Sequence, residues 1–267
     1  IVRRQLSTIK GGGLARLATP AHVVALILSD VVGDSLEAIA SGPTTPSTTD
    51  VKDVWDVLER YKLETRLPEN VKNALRTSAE MRQGFPGQKK AKVSNFIIGS
   101  NEMAARAAIG HSEGLGFSGI LLTTRLQGEA REVGRCIGGL VKSIKITENG
   151  SPRCIVLGGE TTVTVQGTGV GGRNQELALA AALELENVSN VVVMTLATDG
   201  IDGPTPSAGA IVDGRTIAEG RSLNLDAVSS LKNNDSYTFF KEIEATVILG
   251  PTGTNVNDLV CCLIYRA

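Results

Sequence analysis

Along the 267-residue chain, continuous apolar runs alternate with stretches whose apolar positions recur every three or four residues. The run HVVALILSD (22–30), rich in β-branched residues, predicts a buried strand of a parallel sheet. A helix is predicted over 50–62, capped by Thr49 or Asp50, with Val51, Val54, Val57, Leu58 and Tyr61 on its apolar side. Pro68 opens another over 68–82. Strand 92–99, helix 102–115 capped by Asn101, strand 117–124 and helix 128–144 then follow. This βαβα alternation implies parallel strands with helices on their faces.

Turn signals in TENGSPR (147–153) place a domain boundary there, giving domains over 1–148 and 149–267. In the second, CIVLGG (154–159) reads as a buried strand. TTVTVQG (161–167) alternates polar and apolar and reads as a half-exposed, antiparallel strand. The helix over 172–186 is apolar nearly all round, so it must be buried on several sides. NVVVMTLATDG (190–200) is another buried strand ending in Asp199. Short helices are predicted over 214–222 and 235–242, and strands near 245–249 and 258–265.

Composition narrows the class. The chain is 42% hydrophobic, enough for a sizeable core, with 30 glycines and 3% aromatics. That suits many strand-to-helix turns. The net charge of -1 gives no basic field for nucleic acid. No apolar run nears the ~20 residues that span a bilayer. Cys136, Cys154, Cys261 and Cys262 fit neither a metal site nor a disulfide framework, so reduced core thiols and a cytoplasmic setting are expected. On a strand, Cys261 and Cys262 would face opposite ways. The two histidines, His22 and His111, read as structural, which excludes a histidine-rich metal site and disfavours a Ser/His/Asp triad.

Candidate chemistry gathers where predicted strands end, the edge at which open α/β sheets bind ligands. GTGVGGRNQE (167–176) carries Gly167, Gly169 and Gly172 at the dinucleotide-loop spacing. The strand before it is polar at alternate positions, and the nearest fit to the acid expected at the end of the next strand, Asp199, lies too far along. What survives is an anion-binding reading: glycine N–H groups, a helix start and the Arg173 guanidinium. The alternative is a tight turn with Arg173 solvated. Asp30 is a general base or a turn cap. Asp199 and Asp202, flanking a glycine, could hold a hard cation or simply make a turn, and Glu160 in GGET is open in the same way. GPTGTN (250–255) has the composition of a phosphate cradle without the P-loop signature; IKGGGLA (9–15), with Lys10, also fails that test.

Taken together, the stretches VRRQLSTIKGGGLA, LILSDVVGDSLEAIASGPT, IIGSN, GGETTVTVQGTGVGGRNQELALAAA, ATDGIDGPT, NDSYTFF and GPTGTNVNDL resemble class II glycerate kinases, whose large α/β domain precedes a smaller one of the MOFRL family. The resemblance implies phosphorylation of D-glycerate by ATP with Mg2+, to 2-phosphoglycerate, in a cleft between two domains. It implies an α/β fold in which a truncated Rossmann-like three-layer α/β/α domain is followed by a smaller α/β domain with a mixed sheet. It casts Asp30 as the carboxylate orienting or deprotonating the attacking hydroxyl. Arg173 and the helix start would bind the glycerate carboxylate or the moving phosphoryl group. Ser29, Glu160, Gly171, Gly172, Asn174, Asn234, Asp235, Thr252, Gly253 and Asn255 are implied as substrate or nucleotide contacts, with Asp199 and Asp202 as metal ligands. Family members also carry a segment before the position of Ile1, with a glycine-rich loop and a lysine distinct from Lys10. The expectation is therefore that this chain lacks part of its own fold and alone has little kinase activity.

Two other functions stay open. A hydroxypyruvate reductase-type oxidoreductase would need the dinucleotide features found wanting, and a non-catalytic product would only bind a ligand or partner. Small-molecule substrates are the expected partners, with no nucleic acid and no membrane; a homodimer is open.

Overall fold

The computed structural model describes residues 1–82, 91–144, 146 and 150–265. The boundary expected at 148/149 lies outside the described residues. Two compact units are present, one of residues 1–27 and 34–98, the other of 28–33 and 99–267.

The first unit contains helices α1 (Val2–Gln5), α2 (Gly13–Ala18), α3 (Val51–Arg60) and α4 (Glu69–Arg82), with strands β1 (His22–Leu28) and β2 (Lys92–Gly99). Val54, Leu58 and Leu75 form its buried centre, with Val2, Trp55 and Val71 against them. Tyr61, read as apolar-side, is 66% exposed because the helix has ended before it. The glycine stretch at Lys10 is structural: the N–H groups of Gly11 and Gly12 donate to the carbonyls of Ser41 and Gly42. The long loop before α3 is stapled by Arg4, which donates to Glu37, Ser47 and Thr49. One correction concerns β1. Among the described residues it pairs with β2 alone, and its exposure alternates, leaving Val24 and Leu26 on the surface. Its unbroken apolar sequence resembles a strand covered on both faces, but here the face of Val24 and Leu26 is exposed.

The second unit is built on a six-stranded mixed sheet, formed by β3 (Ser118–Leu126), β4 (Arg153–Gly159), β5 (Val191–Ala197), β6 (Gly209–Asp213), β7 (Thr246–Val247) and β8 (Asp258–Ile264). The order is β3-β4-β8-β5-β6-β7. Only β3 and β4 run parallel; the other pairings are antiparallel. Helix α5 (Asn101–Gly114) covers one face through Ala105, against Cys154, Val156, Leu259 and Cys261. The other face carries α6 (Ala130–Lys142), α7 (Arg173–Leu185), α8 (Thr216–Ser222), α9 (Ala227–Lys232) and α10 (Ser236–Glu242). The chain is thus mixed α/β.

Helix α7 is the centre of this unit. Leu177 to Ala182 and Leu185 are buried, as an all-round apolar helix requires. Helix α6 lies close against it because Gly134 has no side chain; a Cβ there would stand 2.2 Å from the Leu177 carbonyl oxygen. Cys261 and Cys262 face opposite sides of the sheet, in different apolar clusters. Burial pushes the Cys261 thiol up to about 12, so it is inert at neutral pH.

Two further expectations are corrected. Asn101 does not cap α5: Ser100 does, accepting the Met103 N–H. Asn101 instead donates to the carbonyls of Val256 and Asp258. Strand β6 and helix α9, short and weakly patterned, were not foreseen. Residues 161–167 form no strand; a lone bridge joins Glu129 and Thr162. The reason is that side chains claim this backbone: Glu129 accepts the Thr164 N–H, and Asn234 accepts those of Gln166 and Gly167.

Candidate active site

The chain reaches α7 through Gly171 and Gly172, and Gly172 is the N-cap residue. A cap is ordinarily a short polar side chain that accepts the first free N–H groups of the helix. Here that acceptor comes from the turn after β5. Asp202 Oδ1 accepts the Asn174 N–H at 3.1 Å, and Oδ2 accepts the Gln175 N–H at 2.9 Å. The side-chain amides of both residues also donate to it, at 3.3 and 3.0 Å. Asp202 is 2% exposed, and burial pushes its carboxyl up from the ordinary value, opposed by hydrogen bonds from the Gln175 and Asn174 main chain and the Gln175 side chain. The anion-binding end of α7 is therefore filled by the protein's own carboxylate.

The other glycines are also placed for close packing. A Cβ on Gly167 would lie 2.3 Å from the Asn233 carbonyl oxygen, and one on Gly169 would lie 2.3 Å from Asp235 Cβ. On Gly171 it would meet Ser236 Oγ at 2.4 Å. Three N–H groups of the loop are already used within the protein: Thr168 and Gly169 donate to Asn233, and Val170 to Asp235. Asn234, which holds Gln166 and Gly167, is anchored in turn. Its Nδ2 donates to Glu176 at 3.0 Å, and Glu176, 2% exposed, pairs with Arg131 at 2.8 Å.

Arg173, the first residue of α7, is held on three nitrogens. Nε and Nη2 fork onto Asp258 at 2.5 and 2.9 Å, and Nη1 meets Glu160 at 3.0 Å. Hydrogen bonds to Asp258, then the nearby negative charges, raise the Arg173 pKa further, so it is a permanent cation. Glu160 also accepts Asn257 Nδ2 at 2.9 Å, and the same nitrogen donates to the Asp30 carbonyl at 3.0 Å. The Asp30 side chain is exposed.

Glu160, Arg173, Gly171, Gly172, Glu176 and Asn234 line a cleft of about 520 Å³. Val163, Val165 and Pro204 give it an apolar side. Its lining therefore combines a fixed cation among carboxylates with apolar surface, which suits a small polar molecule or part of a nucleotide.

Residues 153–258 match the MOFRL family, and residues 1–76 match a domain of unknown function (DUF4147). A glycerate kinase from Macaca fascicularis is 37% identical over 96% of this chain and 76% of its own length. The chain belongs to the glycerate kinase family. A D-glycerate 2-kinase from Thermotoga maritima is 44% identical over 98% of the chain and 61% of its own length. The crystal structure of the glycerate kinase from that organism superposes with a TM-score of 0.87 at 44% identity, covering 99% of this chain and 62% of that one. The chain thus spans about three-fifths of the Thermotoga relative.

Within this glycerate kinase family member, only some of the expected site residues come together. Glu160, Gly171, Gly172, Arg173, Asp202 and Asn234 line the cleft, and the Asp30 main chain joins them through Asn257. Ser29, Asn174 and Asp202 are buried, and Asp235 is used on Val170 and Thr238. Asp199 and Thr252 belong to two loops fastened together, the Thr252 N–H donating to the Asp199 carbonyl. Gly253 is exposed, and so is Asn255, whose side chain accepts the Asn257 N–H. The pair Asp199–Asp202 does not fit Mg2+, because both Asp202 oxygens are taken by N–H donors. Among the described residues, no three His, Cys, Asp or Glu side chains gather as a cation site. No helix of the described residues is long and apolar enough to cross a membrane.

The sequence reading missed Asp258, Asn257, Glu176 and Arg131. Asp258 and Asn257 end the stretch GPTGTNVND, where the exposed Asn255 was chosen instead. A usable signal was the Asn-Asp pair directly before an apolar run, at a strand entrance.

Proposed function

We propose that this protein is a glycerate kinase that transfers the terminal phosphoryl group of ATP to D-glycerate, giving 2-phosphoglycerate. The observation that carries the proposal is the 44% identity over 98% of the chain to a D-glycerate 2-kinase. The geometry supports it. Phosphoryl transfer needs positioned, pre-paired charge more than covalent chemistry. Arg173, locked by Asp258 and Glu160, is such a charge at the edge of the cleft. In this reading Arg173 faces the glycerate carboxylate or the phosphoryl oxygens. Asp30, exposed at the end of β1, orients or deprotonates the attacking hydroxyl. Any Mg2+ would have to be held by groups other than Asp202. A cytoplasmic setting belongs to the same proposal, supported by the free thiols of Cys154, Cys261 and Cys262.

The test is a coupled assay for ADP release with D-glycerate and ATP, run on the full-length protein beside NADH consumption with hydroxypyruvate. ADP release that depends on D-glycerate supports the kinase. NADH consumption without ADP release would overturn it in favour of the oxidoreductase, against which the filled glycine loop argues.

A further inference from the structure

Asn257 is 4% exposed and its φ is +67°, a left-handed conformation that asparagine and glycine tolerate best. Its Nδ2 carries two hydrogens and has two acceptors, the Asp30 carbonyl at 3.0 Å and Glu160 Oε2 at 2.9 Å. Because both partners are acceptors, the amide nitrogen must face them, which settles the orientation of the side chain. The other oxygen of Glu160 meets Arg173 at 3.0 Å. One carboxamide thus links the main chain of Asp30 to the carboxylate beside Arg173. Its own Oδ1 is buried and has no hydrogen-bond partner among the described residues. A buried amide with half its capacity unused is a poor device for stability alone. It is a good device for fixing two groups against each other.

From this geometry we infer that Asn257 is a positioning residue, which sets the distance between Asp30 and the Glu160–Arg173 pair. It touches no reacting atom and acts only through these neighbours. The inference rests on the glycerate kinase reading for its kinetic consequence, and on the hydrogen bonds alone for its structural one.

Two variants test it. Asn257→Gly keeps the left-handed backbone and removes the side chain. Asn257→Asp keeps the shape and replaces both N–H donors by an oxygen, which repels Glu160. Both are expected to lower kcat by about a hundredfold, as small misplacements of reacting groups do, with KM for ATP changed less than about threefold. In the crystal structure of Asn257→Gly, Glu160 should leave Arg173 and the main chain at Asp30 should shift. Retention of the Glu160–Arg173 contact with Asp30 unmoved would overturn the inference, and so would kcat near that of the unaltered protein. Failure of both variants to fold would make Asn257 a residue of the fold and also overturn it. If the unaltered full-length protein releases no ADP with D-glycerate, the kinase reading fails, and the crystal structure still decides the positioning role.

Discussion

Asp202 stands where a side chain on Gly172 would be: a Cβ on Gly172 would lie 2.2 Å from Asp202 Cγ. The carboxylate caps α7 from a turn remote in sequence, and the cap residue itself must be bare for it to approach. Gly172→Ala should therefore expel Asp202 and leave the Asn174 and Gln175 N–H groups without acceptors. The expected loss is about 2 kcal/mol or more. Urea unfolding checks it, and an unchanged midpoint would contradict the arrangement.

The same carboxylate predicts a pH dependence. Burial raises its pKa above the ordinary 3.8. An acid raised on folding binds its proton more tightly in the folded state, so its contribution is present below 3.8 and is lost as pH rises through the raised value. Asp202→Asn removes this titration. The stability advantage of the unaltered protein over the variant should shrink with rising pH across that window and then level off. Unfolding midpoints of both proteins, measured from acid to neutral pH, decide; an advantage that grows with pH would refute it.

Arg173→Lys should cost activity despite keeping the charge. A lysine cannot fork onto Asp258 while also reaching Glu160. Turnover in the ADP-release assay is expected to fall by about a hundredfold. Stability should fall by about 2 kcal/mol, because Asp258, with its side chain 8% exposed, loses its bidentate partner. Normal turnover would remove Arg173 from the proposed machinery.

Asn234→Ala withdraws one oxygen that accepts two backbone N–H groups, and one donor from Glu176. The amides of Gln166 and Gly167 should then exchange with deuterium much faster, while those of β4 and β8 hold. Stability should drop by about 1–3 kcal/mol. Unchanged protection at residues 166 and 167 would show that another acceptor serves them.

The contrast between legible and illegible parts follows from range. Helix α7 and strands β4, β5 and β8 could be read directly because an apolar run reports its own burial, wherever its neighbours come from. The stretch TTVTVQG was misread because alternation mimics a strand, whereas its backbone partners are side chains at positions 129 and 234. Val24 and Leu26 looked like core residues, since a run cannot say whether both of its faces are covered. At the candidate site, Arg173 was found because it opens a helix after glycines. Asn257 and Asp258 were overlooked: the importance of Asn257 depends on Asp30, 227 positions away, and that of Asp258 on Arg173, 85 positions away. Asp202 was found for the wrong reason, since its turn is visible in sequence but the helix end it fills is not.

The strand order carries a consequence for how the molecule comes into being. β8 is the latest of the six strands to be synthesised, yet it lies between β4 and β5. A growing chain must therefore keep β4 waiting through about a hundred residues before its central neighbour arrives. Until then two apolar strand edges stand open, and Arg173 has no Asp258 to grip, since that residue is the first of β8. The charge cluster and the closed sheet must thus appear in a single late event, so a half-made chain cannot hold the site.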